Sequence, residues 1–216
     1  MNVLELFAGS RSVGKAAQEL GMRVFSSDIT QFGGIDYITD ILDFDVREVM
    51  MIPDVIWASP PCTSYSIAAV SHHRNGQEPK TEFAKKSDLM IAKVHEIINY
   101  FTKKNPDLVY YIENPRGMLR KMDFMKIHPI RHTVTYCQYG DTRMKPTDIW
   151  TNDMRWIPRP MCKNGDPCHE RAPRGSQTGT QGRANNHERS KIPHELCLEI
   201  LKSTNYEELS TVTRRL

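Results

Sequence analysis

Short apolar runs recur through the first 150 residues, and a turn or a polar segment follows each one. Short runs of this kind, rich in Val and Ile, are typical of buried strands in a parallel sheet. The pattern predicts strands over residues 2–7, 22–27, 54–57, 108–112 and 132–136. Residues 147–150 come after a tight turn and are predicted to pair with the last of these strands in antiparallel orientation.

Helical spacing of apolar residues occurs between and after these strands. It predicts helices over residues 15–20, 44–51, 88–103 and 193–202, with Ser87 as the N-cap of the third. Strands that alternate with helices favour an α/β fold, in which a mostly parallel central sheet is flanked by helices. The last helix, residues 193–202, is expected to complete the core.

The amino-acid composition is consistent with this fold class. The chain has 216 residues, 39% hydrophobic and 25% charged, which suits one soluble domain over residues 1–216. No apolar run approaches the roughly 20 residues of a membrane span, so we expect no membrane contact. Five scattered cysteines favour a reducing, cytoplasmic location. The net charge of +3 permits an anionic partner without requiring one.

Two strand ends carry residues with candidate chemistry. Pro60 and Pro61 stiffen the chain after the third strand and hold Cys62 at the sheet edge where open α/β sheets bind ligands. Cys62 is therefore either a rigidly presented nucleophile or a buried small apolar residue. Glu113 and Asn114 follow the fourth strand. A carboxylate beside a thiol is suited to acid/base work, and a turn cap is the alternative.

The first strand leads through a glycine turn into a helix, an arrangement that binds ligands at the helix N-terminus. Arg11 stands where the second glycine of the dinucleotide-binding motif would be, which disfavours a nicotinamide cofactor. Asp28 ends the second strand and suits ribose hydroxyls, while Asp40 suits an adenine amino group. Each of the two carboxylates is alternatively a turn or helix cap.

Two long polar segments are predicted to be loops. Residues 63–86 begin next to Cys62, which favours a lid or binding loop over a solvated surface loop. Residues 152–189 are a basic, loop-rich insert in which Arg171, Arg174 and Arg183 suit contacts to a phosphate backbone. A solvated loop is the alternative for this insert as well.

Cys162, Cys168 and His169 lie in the same insert and are residue types that ligate zinc. The gap between the two cysteines exceeds the usual spacing of about two to four residues, and no clear fourth ligand follows. We therefore expect no metal, and zinc at these three residues is the less favoured alternative.

In this order and spacing, the segments resemble those of the cytosine-C5 DNA methyltransferases over nearly the whole chain except residues 152–189. Residues 6–9, Leu-Phe-Ala-Gly, are similar to the family's first cofactor motif. Pro60-Pro61-Cys62 with Ser66 resembles its nucleophile motif, and Glu113-Asn114-Pro115 resembles its Glu-Asn-Val signature.

Two further motifs resemble the family in part. Arg143-x-Lys145-x-Thr147 partly matches a Gln-x-Arg-x-Arg motif, and Ser190 opens a segment like the C-terminal motif that returns to the cofactor site. Arg11 and Ser12 replace a glycine pair of the family, which changes the cofactor loop. The family's large target-recognition domain is absent, and residues 152–189 take its place, so we expect short or relaxed sequence specificity.

The resemblance implies a Rossmann-like fold that uses S-adenosylmethionine and releases S-adenosylhomocysteine. It implies methyl transfer to C5 of cytosine in DNA, through a covalent Cys62–C6 adduct with the target base flipped out. We expect a monomer in the cytoplasm of a bacterial or phage-infected cell. The alternatives are a related methyltransferase acting on RNA or a nucleotide, and a catalytically silent homologue that binds nucleic acid.

The resemblance also implies roles for individual residues. The implied catalytic residues are Cys62, Glu113, Asn114, Arg143 and Lys145. The implied cofactor contacts are Phe7, Ala8, Gly9, Ser10, Asp28, Ile29, Asp40, Ile41, Pro60 and Ser190. The expected DNA contacts are Ser64, Ser66, His73 and Arg74, together with Arg171, Arg174 and Arg183 of the basic insert.

Overall fold

A computed structural model of the chain describes residues 1–170 and 186–204. The elements in these two ranges are numbered here in chain order. The strands are β1 Asn2–Leu6, β2 Arg23–Asp28, β3 Tyr37–Ile38, β4 Val55–Ala58, β5 Arg74–Asn75, β6 Glu78–Pro79, β7 Val109–Pro115, β8 Ile130–Thr135 and β9 Pro146–Thr151. The α-helices are α1 Ser12–Glu19, α2 Val70–His73, α3 Glu82–Thr102, α4 Asn186–Ser190 and α5 His194–Thr204.

Seven of these strands form one sheet in the order β3-β2-β1-β4-β7-β9-β8. The first five pair in parallel, and β9 is antiparallel to both of its neighbours. The predicted α/β fold with a mostly parallel sheet is confirmed, as is the antiparallel pairing of residues 147–150. Because β4, β7 and β8 run in one direction, their carboxyl ends meet at the same edge of the sheet.

Hydrophobic side chains cover both faces of the sheet, since successive residues of a strand point to opposite sides. Leu4 and Ile56 pack with the apolar stripe of α3 on one face. Val3 and Trp57 pack with α1 and α5 on the other. Among the described residues, no helix is long and apolar enough to cross a membrane.

The structure corrects the predicted start of α3. The helix begins at Glu82, nearly two turns earlier than expected, with Thr81 as its N-cap. The Thr81 hydroxyl accepts a 3.2 Å hydrogen bond from the Ala84 amide. Ser87 lies inside the helix and donates to the Phe83 carbonyl at 2.8 Å. The first turn is mostly polar, so an apolar spacing pattern cannot detect it.

Two other local predictions are wrong. Residues 63–86 are not a structureless loop, because they contain a 3₁₀ turn at Thr63–Tyr65, helix α2, the two-stranded β5–β6 ribbon and the start of α3. Residues 44–51 do not form one helix. Asp40 and Asp45 instead cap two separate 3₁₀ turns, Ile41–Asp43 and Val46–Glu48. Each aspartate binds the backbone locally in competition with a continuous helix.

Candidate active site

The ends of β4 and β7 bring Cys62 and Glu113 to one edge of the sheet. Ala58 at the end of β4 pairs with Ile112 on β7, and each strand then continues into its candidate residue. The side-chain amide of Asn114 donates a 2.9 Å hydrogen bond to the Pro60 carbonyl, which ties the two strand ends together. Cys62 itself is partly exposed and begins the 3₁₀ turn that follows the prolines.

Asn114 is fully buried, and its Oδ1 has no hydrogen-bond partner among the described residues. A buried acceptor without a partner costs on the order of 1–3 kcal/mol. Such an atom beside the Cys62 turn is available to a donor that enters the site. Asn114 therefore positions the turn with its amide group and retains one free acceptor.

Glu113 is 4% exposed, and its Oε1 accepts a 2.8 Å hydrogen bond from the Tyr136 hydroxyl. Tyr136 follows β8 directly and is fully buried. Burial raises the pKa of the Tyr136 phenol well above its ordinary value, and the negative charge of Glu113 raises it further. The phenol therefore stays protonated and donates the hydrogen bond to Glu113. Tyr136 was not predicted from the sequence as a site residue, although its position at the end of a strand on this sheet edge could have indicated it.

Lys145 supplies a cation near these groups. Its backbone φ of 27° lies in the left-handed region, which is strained for a residue with a side chain, and Pro146 follows it. Its Nζ donates to the Arg189 carbonyl at 3.1 Å and lies 4.6 Å from the centre of the Tyr136 ring. Burial lowers the pKa of Lys145, and the Glu113 charge acts in the opposite direction.

The electrostatics of the site favour a neutral Cys62 thiol. Burial raises the pKa of Cys62, and the charge of Glu113 raises it further. The charges of Lys145 and Arg189 act against this increase without reversing it. Since only a thiolate is strongly nucleophilic, attack by Cys62 requires removal of its proton when the substrate is in place.

Arg143 does not have the free guanidinium that a base contact requires. It is buried, and its Nε and Nη2 donate to the Asp141 carboxylate. Its Nη1 donates to the carbonyls of Glu188 and Arg189, and Nη2 also donates to that of Lys191. The expected contact with the base is corrected, because Arg143 holds the segment that leads into α5.

Two expected DNA contacts are corrected as well. Arg74 is 3% exposed and forms an ion pair with Asp88 at 2.5 Å, while its Nε donates to the Ser64 carbonyl at 3.1 Å. Ser64 is fully buried. Both residues stabilise the segment after Cys62 from inside the protein, where they cannot reach DNA.

The remaining candidates for DNA contact differ in position. Ser66 and His73 are partly exposed, and each makes a local hydrogen bond, the first to the Thr63 carbonyl and the second to the Thr81 hydroxyl. Arg171, Arg174 and Arg183 lie outside the described residues.

A shallow cleft opens beside the Cys62 turn. It gathers five of the expected cofactor contacts, and its lining consists of Phe7, Ser27, Asp28, Ile29, Thr39, Asp40, Ile41, Pro61 and Met90. Apolar side chains form most of this surface, and two carboxylates lie at it. Pro61 belongs to both the cleft and the Cys62 turn, so a ligand in the cleft would lie next to the candidate nucleophile.

The two carboxylates of the cleft already have partners, in line with their alternative interpretation as caps. Asp28 accepts hydrogen bonds from the Gly9 and Thr30 amides, at 2.9 and 2.8 Å. Asp40 accepts from the Leu42 amide and from Lys86 Nζ, at 3.1 and 2.7 Å. The hydrogen bond from Lys86 lowers the pKa of Asp40 most, and the hydrogen bond from the Leu42 amide lowers it further. Each carboxylate oxygen can accept a further bond from a ligand.

The other expected cofactor contacts lie in segments next to the cleft. Ala8, Gly9 and Ser10 form the turn after β1, and the Ser10 hydroxyl lies 2.9 Å from the Ser12 hydroxyl. Pro60 is buried under Asn114, and Ser190 is exposed at the end of α4.

Arg11 is accommodated in place of a glycine by a network around Glu5. Arg11 adopts a left-handed φ of 55°, and its Nε donates to the Ser26 hydroxyl at 3.1 Å. That hydroxyl donates in turn to Glu5 Oε2, while Glu5 Oε1 accepts from the Val13 amide in the first turn of α1. Burial raises the pKa of Glu5 to about 7. Glu5 was not identified from the sequence, because it lies within the otherwise apolar strand β1.

A second cluster of reactive side chains includes Cys137, the residue that follows Tyr136. Cys162, Cys168 and His169 are close together, and Cys137, which was not among the predicted ligands, lies beside them. One potential ligand atom from each of the four residues lies within 4.8 Å of the others. Cys137 is remote in sequence, so only the fold brings it to this position.

A mostly parallel sheet with a cleft, and with Cys62 and Glu113 at its carboxyl edge, is typical of α/β enzymes. No family model matches the chain. The chain is 30% identical to the "probable DNA (cytosine-5)-methyltransferase" of Frog virus 3 (isolate Goorha), over 78% of each protein. The chain thus belongs to the DNA (cytosine-5)-methyltransferase family.

Among solved structures, the chain is similar to two Dnmt2 proteins. The S. pombe Dnmt2 methyltransferase matches at a TM-score of 0.47 and 14% identity, over 73% of this chain and 51% of its own. A Spodoptera frugiperda DNMT2 mutant matches at a TM-score of 0.49 and 16% identity, over 77% of this chain and 57% of its own. The chain thus spans little more than half the length of these structures.

Proposed function

We propose that the protein transfers a methyl group from S-adenosylmethionine to C5 of cytosine in DNA, through a covalent bond between Cys62 and C6 of a flipped-out base. The observation that carries this proposal is the meeting of Cys62, Glu113 and Lys145 at the edge of the sheet, next to the cleft. Family membership supports the choice of cytosine in DNA.

The chemistry of cytosine explains the need for these residue types. C5 is a weak nucleophile until a thiolate adds to C6, and the new C–S bond shifts a ring electron pair towards C5. The Glu113 carboxylate takes up the proton that Cys62 loses, holds N3 and gives this proton to N3 as the ring loses its aromaticity. After methylation, a base or water removes the C5 proton, and the electrons of that C–H bond restore the C5–C6 double bond as Cys62 leaves as a thiolate. N3 returns its proton to Glu113.

The cleft suits S-adenosylmethionine better than a cofactor that carries phosphates. The carboxylates of Asp28 and Asp40 repel a phosphate but attract hydroxyl donors and a positive sulfonium. Phe7 and Ile41 offer apolar surface to an adenine ring. When bound, this cofactor supplies the electrophilic methyl group.

A paired base cannot reach Cys62 from inside a duplex. Flipping the base out of the duplex costs a few kcal/mol, and contacts to the DNA backbone compensate for this cost. Arg171, Arg174 and Arg183 are our candidates for these contacts. Asn114 keeps the Cys62 turn in place through its bond to the Pro60 carbonyl while the base enters.

Nucleoside mass spectrometry tests the proposal. Wild-type protein with S-adenosylmethionine should produce 5-methylcytosine in DNA, whereas Cys62→Ala and Glu113→Gln should not. Cys197→Ala is the matched control, since Cys197 is a free cysteine buried in the core. Activity retained in Cys62→Ala would refute the nucleophile assignment. Product found only in RNA would support the alternative substrate, and absence of product from every nucleic acid would refute the reaction.

A further inference from the structure

We propose that Cys137, Cys162, Cys168 and His169 form a structural zinc site that the proposed methyl transfer does not require. The four side chains converge although they come from two separate segments of the chain. Three thiols and one imidazole are a common ligand set of structural zinc sites. Four protein ligands leave no open position on the metal, so the site has a structural role.

The distances between the ligand atoms match tetrahedral coordination. Bonds of about 2.3 Å to sulfur and about 2.1 Å to nitrogen place two sulfurs about 3.8 Å apart and a sulfur and a nitrogen about 3.6 Å apart. The sulfur of Cys168 lies 3.6 Å from that of Cys137 and 3.6 Å from His169 Nδ1. The sulfur of Cys162 lies 3.7 Å from the same nitrogen.

One sulfur pair is closer than this geometry requires. The sulfurs of Cys137 and Cys162 are 3.1 Å apart, which is far longer than a disulfide bond of about 2.05 Å. A metal ion between the two would move them apart by less than an ångström. The competing possibility is oxidation of this pair to a disulfide, which the experiment must distinguish from zinc binding.

Coordination through Nδ1 of His169 requires the neutral tautomer that carries its proton on Nε2. Its Nε2 lies 3.4 Å from the Gly165 amide nitrogen, beyond the range of about 2.7–3.2 Å for good N–H hydrogen bonds. This weak contact does not fix the proton on Nδ1. Zinc binding would place the proton on Nε2 and leave Nδ1 as the ligand.

The position of the cluster indicates what the metal would hold together. Cys137 follows Tyr136, the residue that binds Glu113. The Cys162 amide donates to the Thr135 hydroxyl at 3.1 Å, and the Glu170 amide donates to the Thr142 carbonyl at 2.9 Å. Zinc would therefore fasten residues 162–169 to the turn after β8, at the point where the chain enters the basic segment that contains Arg171.

Metal analysis of the purified full chain tests the site independently of its activity. We expect about one zinc per chain, lost in Cys162→Ser and in His169→Ala. His169→Cys should retain the metal because it supplies a fourth thiolate. Cys62→Ser is the matched control, since it removes a partly exposed cysteine outside the cluster and should leave the zinc content unchanged.

Cobalt reconstitution and thiol mapping give two further readouts. Protein reconstituted with Co²⁺ should show the visible absorption of a tetrahedral thiolate complex, and zinc removal should lower the Tm of wild type but not of Cys162→Ser. A Cys137–Cys162 disulfide in protein purified without reductant would overturn the proposal. Zinc content that stays the same in both Cys162→Ser and His169→Ala would also overturn it, as would purified wild type that neither contains nor takes up zinc.

Discussion

The Tyr136 hydroxyl donates a 2.8 Å hydrogen bond to Oε1 of Glu113, and both side chains are buried at the carboxyl edge of the sheet. This bond orients the carboxylate that is proposed to hold N3 of cytosine. In Tyr136→Phe we expect turnover to fall about 10- to 100-fold, as for loss of a bond to a charged group. Binding of S-adenosylhomocysteine, measured by calorimetry, should not change.

Tyr111→Phe is the matched control for that variant. The Tyr111 hydroxyl donates to the Asp153 carboxylate at 2.7 Å. Tyr111→Phe therefore also removes a buried tyrosine–carboxylate hydrogen bond, but one that does not involve Glu113. The control should lose stability but not turnover per folded molecule. Equal turnover losses in the two variants would show that Tyr136 acts only through stability.

Arg143 is expected to stabilise the fold, not to contact the base. Arg143→Met removes the ion pair with Asp141 and three hydrogen bonds to carbonyls of residues 188–191. Breaking a buried pair of this kind costs about 3 kcal/mol of unfolding free energy, measurable by urea denaturation. Arg47→Met, which breaks an exposed pair with Asp45, should leave stability unchanged. An Arg143 variant that is fully stable but has a raised KM for DNA would contradict this role.

Lys145 is expected to control the reactivity of Cys62. Its charge lowers the pKa of the thiol, so Lys145→Met should move the midpoint of the pH–rate profile for Cys62 alkylation by iodoacetamide to higher pH. At a fixed pH below the midpoint, alkylation should be slower than in wild type. Lys80→Met, which removes an exposed ammonium bound to the Ser71 carbonyl, should leave the profile in place. A shift to lower pH in Lys145→Met would contradict the assignment.

Glu5 makes stability depend on pH in a defined direction. Its pKa is raised from 4.5 to about 7 in the folded protein, so the folded state binds more protons than the unfolded state between these values. Its contribution to stability is complete below about pH 4.5 and is lost as the pH rises to about 7. The unfolding free energy of wild type relative to Glu5→Gln should fall by about 3 kcal/mol across this range. A constant difference would contradict the burial of a titrating Glu5.

The sheet and the Cys62–Glu113 pairing could be predicted from the sequence because strand patterns and strand ends are local signals. Parallel strands then bring distant ends together without further information. The errors concern residues whose environment is set by tertiary contacts. Arg74 and Arg143 are charged, as surface residues usually are, yet both are buried. Asp88 pairs with Arg74, and the carbonyls of residues 188–191 accept hydrogen bonds from Arg143. Cys137 is similarly beyond the reach of a spacing rule.

The most direct test of the central claim is covalent trapping of Cys62 on DNA that contains 5-fluorocytosine. Fluorine at C5 cannot leave as a cation, so the adduct should persist after methyl transfer. We predict a stable protein–DNA complex that needs S-adenosylmethionine, maps by peptide mass spectrometry to Cys62, forms in Cys197→Ala and is lost in Cys62→Ser. Methylation of ordinary DNA without such a complex, or a crosslink at another residue, would contradict the proposed mechanism.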